Sequence, residues 1–180
     1  MESQNWGGNF TWVIQKPVAT PQASQPAAPQ PEKPSAPAPS VSKPAVPTKP
    51  SAPASTEKSA FASRVVELVN KERAKAGLKA LTVNDALTVM ALDKAKDMNS
   101  KNYFDHNSPT YGSPFDMMKK YGISYRYAGE NIAKGQRTPE EVMNSWMNSE
   151  GHRKNIMSPN FTMIGVGYYN GYWVQEFISQ

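Results

Sequence analysis

The chain has 180 residues and contains no cysteine. This absence excludes disulfide bonds, thiolate metal ligands and a cysteine nucleophile. Histidine is also scarce, since His106 and His152 are the only two in the sequence. Any imidazole chemistry in this protein must therefore use one or both of these residues.

Long apolar runs are absent as well. No stretch reaches the roughly 18 apolar residues that a membrane helix needs, and the first residues do not show a basic segment followed by an apolar one. We therefore expect no membrane span, and we expect any export signal to be absent from this chain.

Strong charge of either sign is also missing. The net charge is +5, with four basic and two acidic residues in positions 1–54 and sixteen and thirteen in the rest. Because no Lys/Arg block or basic helix face is present, nucleic-acid binding is not expected. A mild positive charge instead favours adhesion to anionic wall polymers or membranes.

Proline is unevenly distributed. Twelve of the sixteen prolines lie between Pro17 and Pro53, in a stretch with too few large apolar residues to form a core. We therefore predict three regions: a short aromatic segment at 1–16, a disordered Pro/Ala-rich linker at 17–56 and one folded domain at 57–180. The aromatic segment could be a docking peptide or the remnant of a larger region, and we assign it no function.

The folded region begins with helical patterns and ends with extended ones. Apolar spacing and capping residues predict helices over about 59–76, from Thr82 or Asn84 to Ser100, over 113–122, and from Thr138 to about 149–151. For the last of these, Thr138 and Glu141 predict a capping box.

The last residues alternate in the way β-strands do. Runs at 162–169 and 172–178 flank Asn170-Gly171, a dipeptide typical of a type I′ hairpin. Gly165 and Gly167 suit strand geometry or close helix packing, because no phosphate-binding motif accompanies them. Helices followed by an antiparallel hairpin predict an α+β domain with helices packed on the sheet.

Both histidines lie beside carboxylates in segments that we interpret as loops. Their surroundings are Asp105-His106, Glu150-Gly151-His152 and, between them, Gly129-Glu130-Asn131. Imidazole and carboxylate groups together can bind zinc or transfer protons, so this placement predicts one polar site. The alternative is that each histidine is a structural, hydrogen-bonded residue.

Two details qualify this site. Glu150 and His152 would face apart on a continuous helix, so their convergence requires the preceding helix to break at Gly151. For Asn131 we favour a structural role over a chemical one.

Several ordered motifs resemble a known family. The chain is similar to the bacterial branch of the superfamily of cysteine-rich secretory proteins, antigen five and plant pathogenesis-related proteins (CAP domain), especially Bacillus-type secreted or spore-associated members. The resemblance covers roughly Ser59 to Ser179 and rests on the segments Gly129–Ala133, Thr138–Val142, Trp146–Ile156 and Ile164–Gly167.

The resemblance implies an α-β-α sandwich with helices on both faces of a small antiparallel sheet and a central cleft. It also implies a cleft lined by His106, His152 and Glu130, with Glu150 as the second acid, where some members bind Zn²⁺ or another divalent cation. It further implies an extracellular, cell-envelope or spore-associated location. We expect a monomer.

Two functions are compatible with these residues. The first is a binding module in which the cleft holds a divalent metal or a cell-wall, spore-coat or lipid ligand. The second is a metal-dependent or acid/base hydrolase of peptide or peptidoglycan, with Glu130 and Glu150 as the candidate catalytic residues. If His106, His152 and Glu130 all bind zinc, Glu150 must be the base, whereas a Glu130 base leaves the metal with two strong ligands.

Overall fold

The computed structural model describes residues 11–15 and 54–180, which form five helices and five strands. The helices are α1 (Ala54–Lys75), α2 (Asp85–Ser100), α3 (Pro114–Lys120), α4 (Pro139–Met147) and α5 (Glu150–Ile156). The strands are β1 (Thr11–Gln15), β2 (Thr82–Val83), β3 (Tyr127–Lys134), β4 (Met163–Tyr169) and β5 (Tyr172–Ser179).

The strands form one sheet in the order β1-β3-β5-β4-β2. All neighbouring pairs are antiparallel except β2 and β4, which are parallel. Asn170 and Gly171 join β4 to β5 with φ angles of 47° and 83°. Both positive values are those that a type I′ turn requires, so the predicted hairpin is confirmed.

Strand β3 is a finding that the sequence did not predict. The interpretation of Gly129-Glu130-Asn131 as a loop is wrong, because these residues lie in the middle of an eight-residue strand. With Gly129, Glu130 and Asn131 at its centre, the strand has little of the β-branched composition that identifies strands. Pairing with β5 along its whole length stabilises it instead.

Helices cover both faces of the sheet. One apolar core contains Val65 and Val69 of α1, Trp146 of α4 and Ile156 of α5. The opposite face is covered by α2 and α3, through side chains such as Leu87. This arrangement is the α-β-α sandwich that the family resemblance implies.

Two glycines bring α2 very close to β4. A Cβ atom at Gly165 would overlap the backbone of Leu87, and a Cβ atom at Gly167 would overlap the backbone of Ala91. The prediction that these glycines allow close helix packing is therefore confirmed. This close packing of α2 on β4 matters for the candidate site, because α2 carries residues that hold the His106 loop.

Capping residues begin three of the helices where the sequence predicts them. The side chains of Asn84, Ser113 and Thr138 accept hydrogen bonds from the backbones of α2, α3 and α4. The expected capping box of α4 is wrong in one detail, because the Glu141 carboxylate accepts from the backbone of Arg137 rather than of Thr138.

The region around the second histidine is helical. Helix α4 ends at Met147, and α5 begins at Glu150 after a short break at Asn148 and Ser149. The expectation of a break at Gly151 with His152 in a loop is therefore wrong. The reason is that a new helix starts after Ser149, so Gly151 and His152 both lie inside α5.

The N-terminal region is described only in part. Helix α1 begins at Ala54, so its first residues lie within the segment expected to be linker. The remainder of the predicted linker and most of the aromatic segment lie outside the described residues. In the part of the chain that the structure describes, no helix has the length and apolar character needed to cross a bilayer.

Candidate functional site

The centre of the site is a contact between His106 and Glu130. A carboxylate oxygen of Glu130 meets the Nδ1 atom of His106, and both residues are buried, with 3% and 1% of their surface exposed. A carboxylate only accepts hydrogen bonds, so the carboxylate form of Glu130 requires the hydrogen of this pair to be on Nδ1. Glu130 therefore sets the orientation of the imidazole ring.

The loop that carries His106 is held by Asp97 at the end of α2. The Asp97 carboxylate accepts hydrogen bonds from the hydroxyl groups of Tyr103 (2.7 Å), Ser108 (2.6 Å) and Thr110. Burial alone would raise the pKa of Asp97, but these hydrogen bonds hold it below its ordinary value. An ionised Asp97 thus fixes the chain on both sides of His106.

Lys94 of α2 supplies a buried positive charge. Only 1% of its surface is exposed, and its ammonium group donates to the backbone carbonyl of His106. The Nζ atom also lies 5.7 Å from the centre of the Tyr103 ring. A cation in this position favours negative charge on the nearby carboxylates.

A second carboxylate, Glu176, lies next to Glu130. The two residues are directly opposite each other on β5 and β3, and Glu176 is completely buried. Burial, together with the Glu130 carboxylate, raises the pKa of Glu176 well above its ordinary value, and Lys94 opposes this effect only in part. The site therefore contains two acids in different environments.

Asn131 follows Glu130 in β3, so its side chain points to the other face of the sheet, as strand alternation requires. There Asn131 donates to the backbone carbonyl of His152 at 3.2 Å and to the Gln175 side chain at 3.0 Å. Asn155 of α5 donates to the Asn131 side chain at 2.9 Å. This amide network attaches α5, and with it the buried His152, to β3.

The predicted site residues are therefore placed differently. His106 and Glu130 are in contact, and His152 is joined to the same strand through its backbone. Glu150 is exposed at the start of α5, and on this continuous helix it faces away from His152, so the structure does not bring it to the pair. Asn131 has the structural role that the sequence favoured.

The donors of the site do not form a metal site with three protein ligands. Within residues 59–180, whose side chains the structure describes, no group of three or more His, Asp or Glu side chains is placed to hold an ion. The Nδ1 atom of His106 is already in contact with Glu130. The zinc prediction therefore stays a prediction without a ligand set among these side chains.

Two residues of the site were missed by sequence reasoning, although each left a signal. Lys94 falls on the apolar face of α2 between Met90 and Met98, where a charged residue is unexpected. Glu176 interrupts the apolar run of β5. Charged residues within buried elements are rarely tolerated without a partner, so both were candidates for the site.

Comparison with known proteins identifies the relatives of the chain. Residues 66–177 match the model of the cysteine-rich secretory protein (CAP) family. Over 135 residues the chain is 62% identical to the uncharacterized protein YkwD of Bacillus subtilis, a match that covers 74% of this chain and 52% of YkwD. It is 35% identical over 117 residues to the uncharacterized membrane protein YlbC of B. subtilis, covering 65% of this chain and 34% of YlbC. The chain thus spans about half or less of these relatives.

Solved structures agree with this result. An extracellular protein containing an SCP domain from Bacillus anthracis superposes with a TM-score of 0.69 at 32% identity, covering 74% of this chain and 45% of that one. An outer surface protein of Borrelia burgdorferi has the same fold, with a TM-score of 0.61 at 21% identity and coverage of 66% and 91%.

Proposed function

Because this chain belongs to the cysteine-rich secretory protein (CAP) family, we propose that it acts outside the cytoplasm and binds a component of the cell envelope or of the spore. The observation that carries the proposal is the buried contact of His106 with Glu130, next to Glu176. The extracellular and surface origin of the structural neighbours supports the location.

The chemistry of the site suits a ligand with several hydrogen-bond donors. Two carboxyl groups and an imidazole offer strong acceptors, and their strength increases where water is excluded. Wall peptides and amino sugars carry amide and hydroxyl donors of this kind. The net charge of +5 would also attract the chain to anionic wall polymers or lipid surfaces.

Co-sedimentation with defined material tests this proposal. The full chain is mixed with purified cell-wall sacculi, with spores or with anionic phospholipid vesicles, and the bound fraction is measured. We expect Glu130→Gln to weaken binding at least tenfold, because it removes the charge that holds His106. Glu67→Gln changes an exposed side chain and serves as the matched control. Equal binding by both variants would reject the site as the binding site.

A hydrolase is the second candidate, and the orientation of His106 by Glu130 is the observation that favours it. A carboxylate on Nδ1 is the arrangement that keeps an imidazole ready to act as a general base. His106 would take a proton from water as the water oxygen attacks an amide carbonyl of a peptide or of peptidoglycan. The C–N bond then breaks and the amine leaves with a proton.

Release of new amino groups from sacculi measures this activity. His106→Ala and Glu130→Gln should each abolish it, because the first removes the base and the second removes the carboxylate that orients it. Turnover by Glu150→Gln is compared with turnover by Glu176→Gln. The comparison tells whether the reaction needs Glu150, the acid expected from the sequence, or Glu176, the acid that lies beside Glu130. Full turnover by Glu130→Gln would exclude Glu130 from the reaction.

Binding of Zn²⁺ or another divalent cation is tested separately by calorimetry on the full chain. A shared metal site requires tight binding that is lost in both His106→Ala and His152→Ala. Binding that survives either substitution would assign the metal to other residues.

A further inference from the structure

Strand β1 covers the outer edge of β3 beside the site. Residues Thr11–Gln15 pair antiparallel with Tyr127–Asn131, and Trp12 is opposite Glu130 in the register. The other edge of β3 is paired with β5 along all eight residues. Strand β1 also contacts α5, the helix that carries His152.

This position differs from that of the other strands. Strands β2 to β5 all lie within residues 82–179, whereas β1 is separated from α1 by residues 16–53, which contain twelve prolines. It has five residues and a β-partner on one side only. Among the described strands, β1 is therefore the one joined to the domain by a long intervening segment.

Removal of β1 would leave a strand edge at the site. The backbone N–H and C=O groups of residues 127–131 that face β1 would then lack their partners, and such an edge accepts another extended chain. The Glu130 carboxylate and α5 flank this edge. A peptide paired there would lie next to the His106–Glu130 contact.

We propose that the outer edge of β3 is a docking edge for an extended peptide, and that residues Thr11–Gln15 are its intramolecular occupant. This inference rests on the proposed function, which makes the region around Glu130 a binding site. It adds that the ligand is a polypeptide in β conformation. A peptide from another molecule binds only after β1 leaves, because both need the same backbone groups.

Covalent attachment explains why β1 is the resident strand. Ligands joined to their site by a linker reach effective concentrations on the order of a millimolar. A five-residue strand with one paired edge binds weakly by itself, so this local concentration is what keeps it in place. A competing peptide must therefore be concentrated, or β1 must be weakened.

Substitution by proline weakens β1 selectively. In an antiparallel pair, neighbouring residues alternate between facing the partner strand and facing away from it. The double variant Val13→Pro, Ile14→Pro therefore removes one N–H group that faces β3, whichever residue carries it. Ser24→Pro, Gln25→Pro adds two prolines to the proline-rich segment and is the matched control.

The test uses full-length protein and a fluorescent peptide of residues 9–17. We expect this peptide to bind the Val13→Pro, Ile14→Pro variant at least tenfold more tightly than the wild type or the control, as measured by anisotropy. A peptide carrying the same two prolines should not bind. Equal affinity for all proteins, or no binding to the variant, would overturn the inference.

Hydrogen exchange gives a second measurement. Backbone amides in residues 127–131 that face β1 should exchange at least tenfold faster in the double-proline variant, while those paired with β5 stay protected. If that variant does not fold, Trp12→Gly, Val13→Gly, Ile14→Gly replaces it. Unchanged exchange would mean that β1 does not occupy the edge. Glu130-dependent binding to sacculi that persists after such a result would leave the proposed function intact.

Discussion

Glu130 and Glu176 occupy directly opposite positions on β3 and β5, and both are buried. Two negative charges on directly opposite residues repel each other strongly where water is excluded. Lys94 donates to the backbone of His106, whose side chain contacts Glu130, and Lys94 only partly offsets the effect on Glu176. The pair therefore makes the stability of the domain depend on pH.

The first prediction concerns Glu176→Gln. Because the folded pKa of Glu176 is raised, the folded state binds a proton that the unfolded state has released above about pH 4.3. Wild-type stability should fall as the pH rises from there toward the raised pKa, by up to about 1.4 kcal/mol for each pH unit. Urea unfolding between pH 4 and 8 measures this loss.

Glutamine keeps the shape of the protonated acid and cannot ionise. The Glu176→Gln variant should therefore lack this fall and exceed the wild type in stability at pH 7. Glu67→Gln, at an exposed position, should follow the wild-type profile. Parallel profiles for wild type and Glu176→Gln would show that Glu176 is ionised in the folded protein.

The second prediction is that Asp97→Asn loosens the His106 loop. Asparagine cannot accept all the hydrogen bonds that the carboxylate receives from Tyr103, Ser108 and Thr110. We expect a loss of about 2 kcal/mol at pH 7. Since the folded pKa of Asp97 is lowered, its contribution is full above about pH 3.9 and disappears on further acidification.

Asp105→Asn is the control for that substitution. Asp105 is exposed and accepts a single hydrogen bond from the backbone of Asn107, which the asparagine side chain can also accept. Its effect on the thermal midpoint should be small. A similar effect of the two substitutions would remove the special role assigned to Asp97.

The third prediction concerns Arg73 of α1, which holds the C-terminal end of α5. Its buried guanidinium group donates to the carbonyl groups of Lys79, Ile156 and Ser158 at 2.8–2.9 Å. Lysine cannot reproduce this planar set of donors, so Arg73→Lys should cost about 2 kcal/mol of stability.

Because Ile156 ends the helix that carries His152, the same substitution should speed amide exchange in α5. Arg64→Lys, at an exposed ion pair with Glu140, should change neither quantity appreciably. Exchange in α5 that is the same in Arg73→Lys and in the wild type would limit Arg73 to anchoring α1.

The fourth prediction concerns Gly167→Ala. The new methyl group would overlap the backbone of Ala91, so α2 must move away from β4, at a cost of about 3 kcal/mol. Gly171→Ala in the hairpin turn has open space around it and should cost only about 1 kcal/mol for its positive φ angle. Chemical denaturation of both variants provides the comparison, and equal costs would contradict the close packing of α2.

Local signals in the sequence predicted much of the fold. The starts of α2, α3 and α4 follow from Asn84, Ser113 and Thr138. Each of these side chains accepts a hydrogen bond from the backbone N–H group three residues later in the chain. The hairpin follows from Asn170-Gly171, since few other residues adopt two consecutive positive φ angles. These features depend on residues close together in the chain, so no tertiary contact is needed to predict them.

The strand that carries the site could not be predicted in the same way. Residues 127–134 become a strand because β5 pairs with them, and that pairing joins residues 38 to 52 positions apart in the chain. His152 became helical because the chain restarts a helix at Ser149, a position without a side-chain cap.

The sequence by itself determined the starts of α2, α3 and α4 and the final hairpin, and it selected His106 and Glu130 as candidate site residues. Only the tertiary structure decided that Glu176 and Lys94 join them and that Glu150 does not. The physical reason is that burial and charge pairing arise between β3, β5 and α2, which meet only when the sheet has formed.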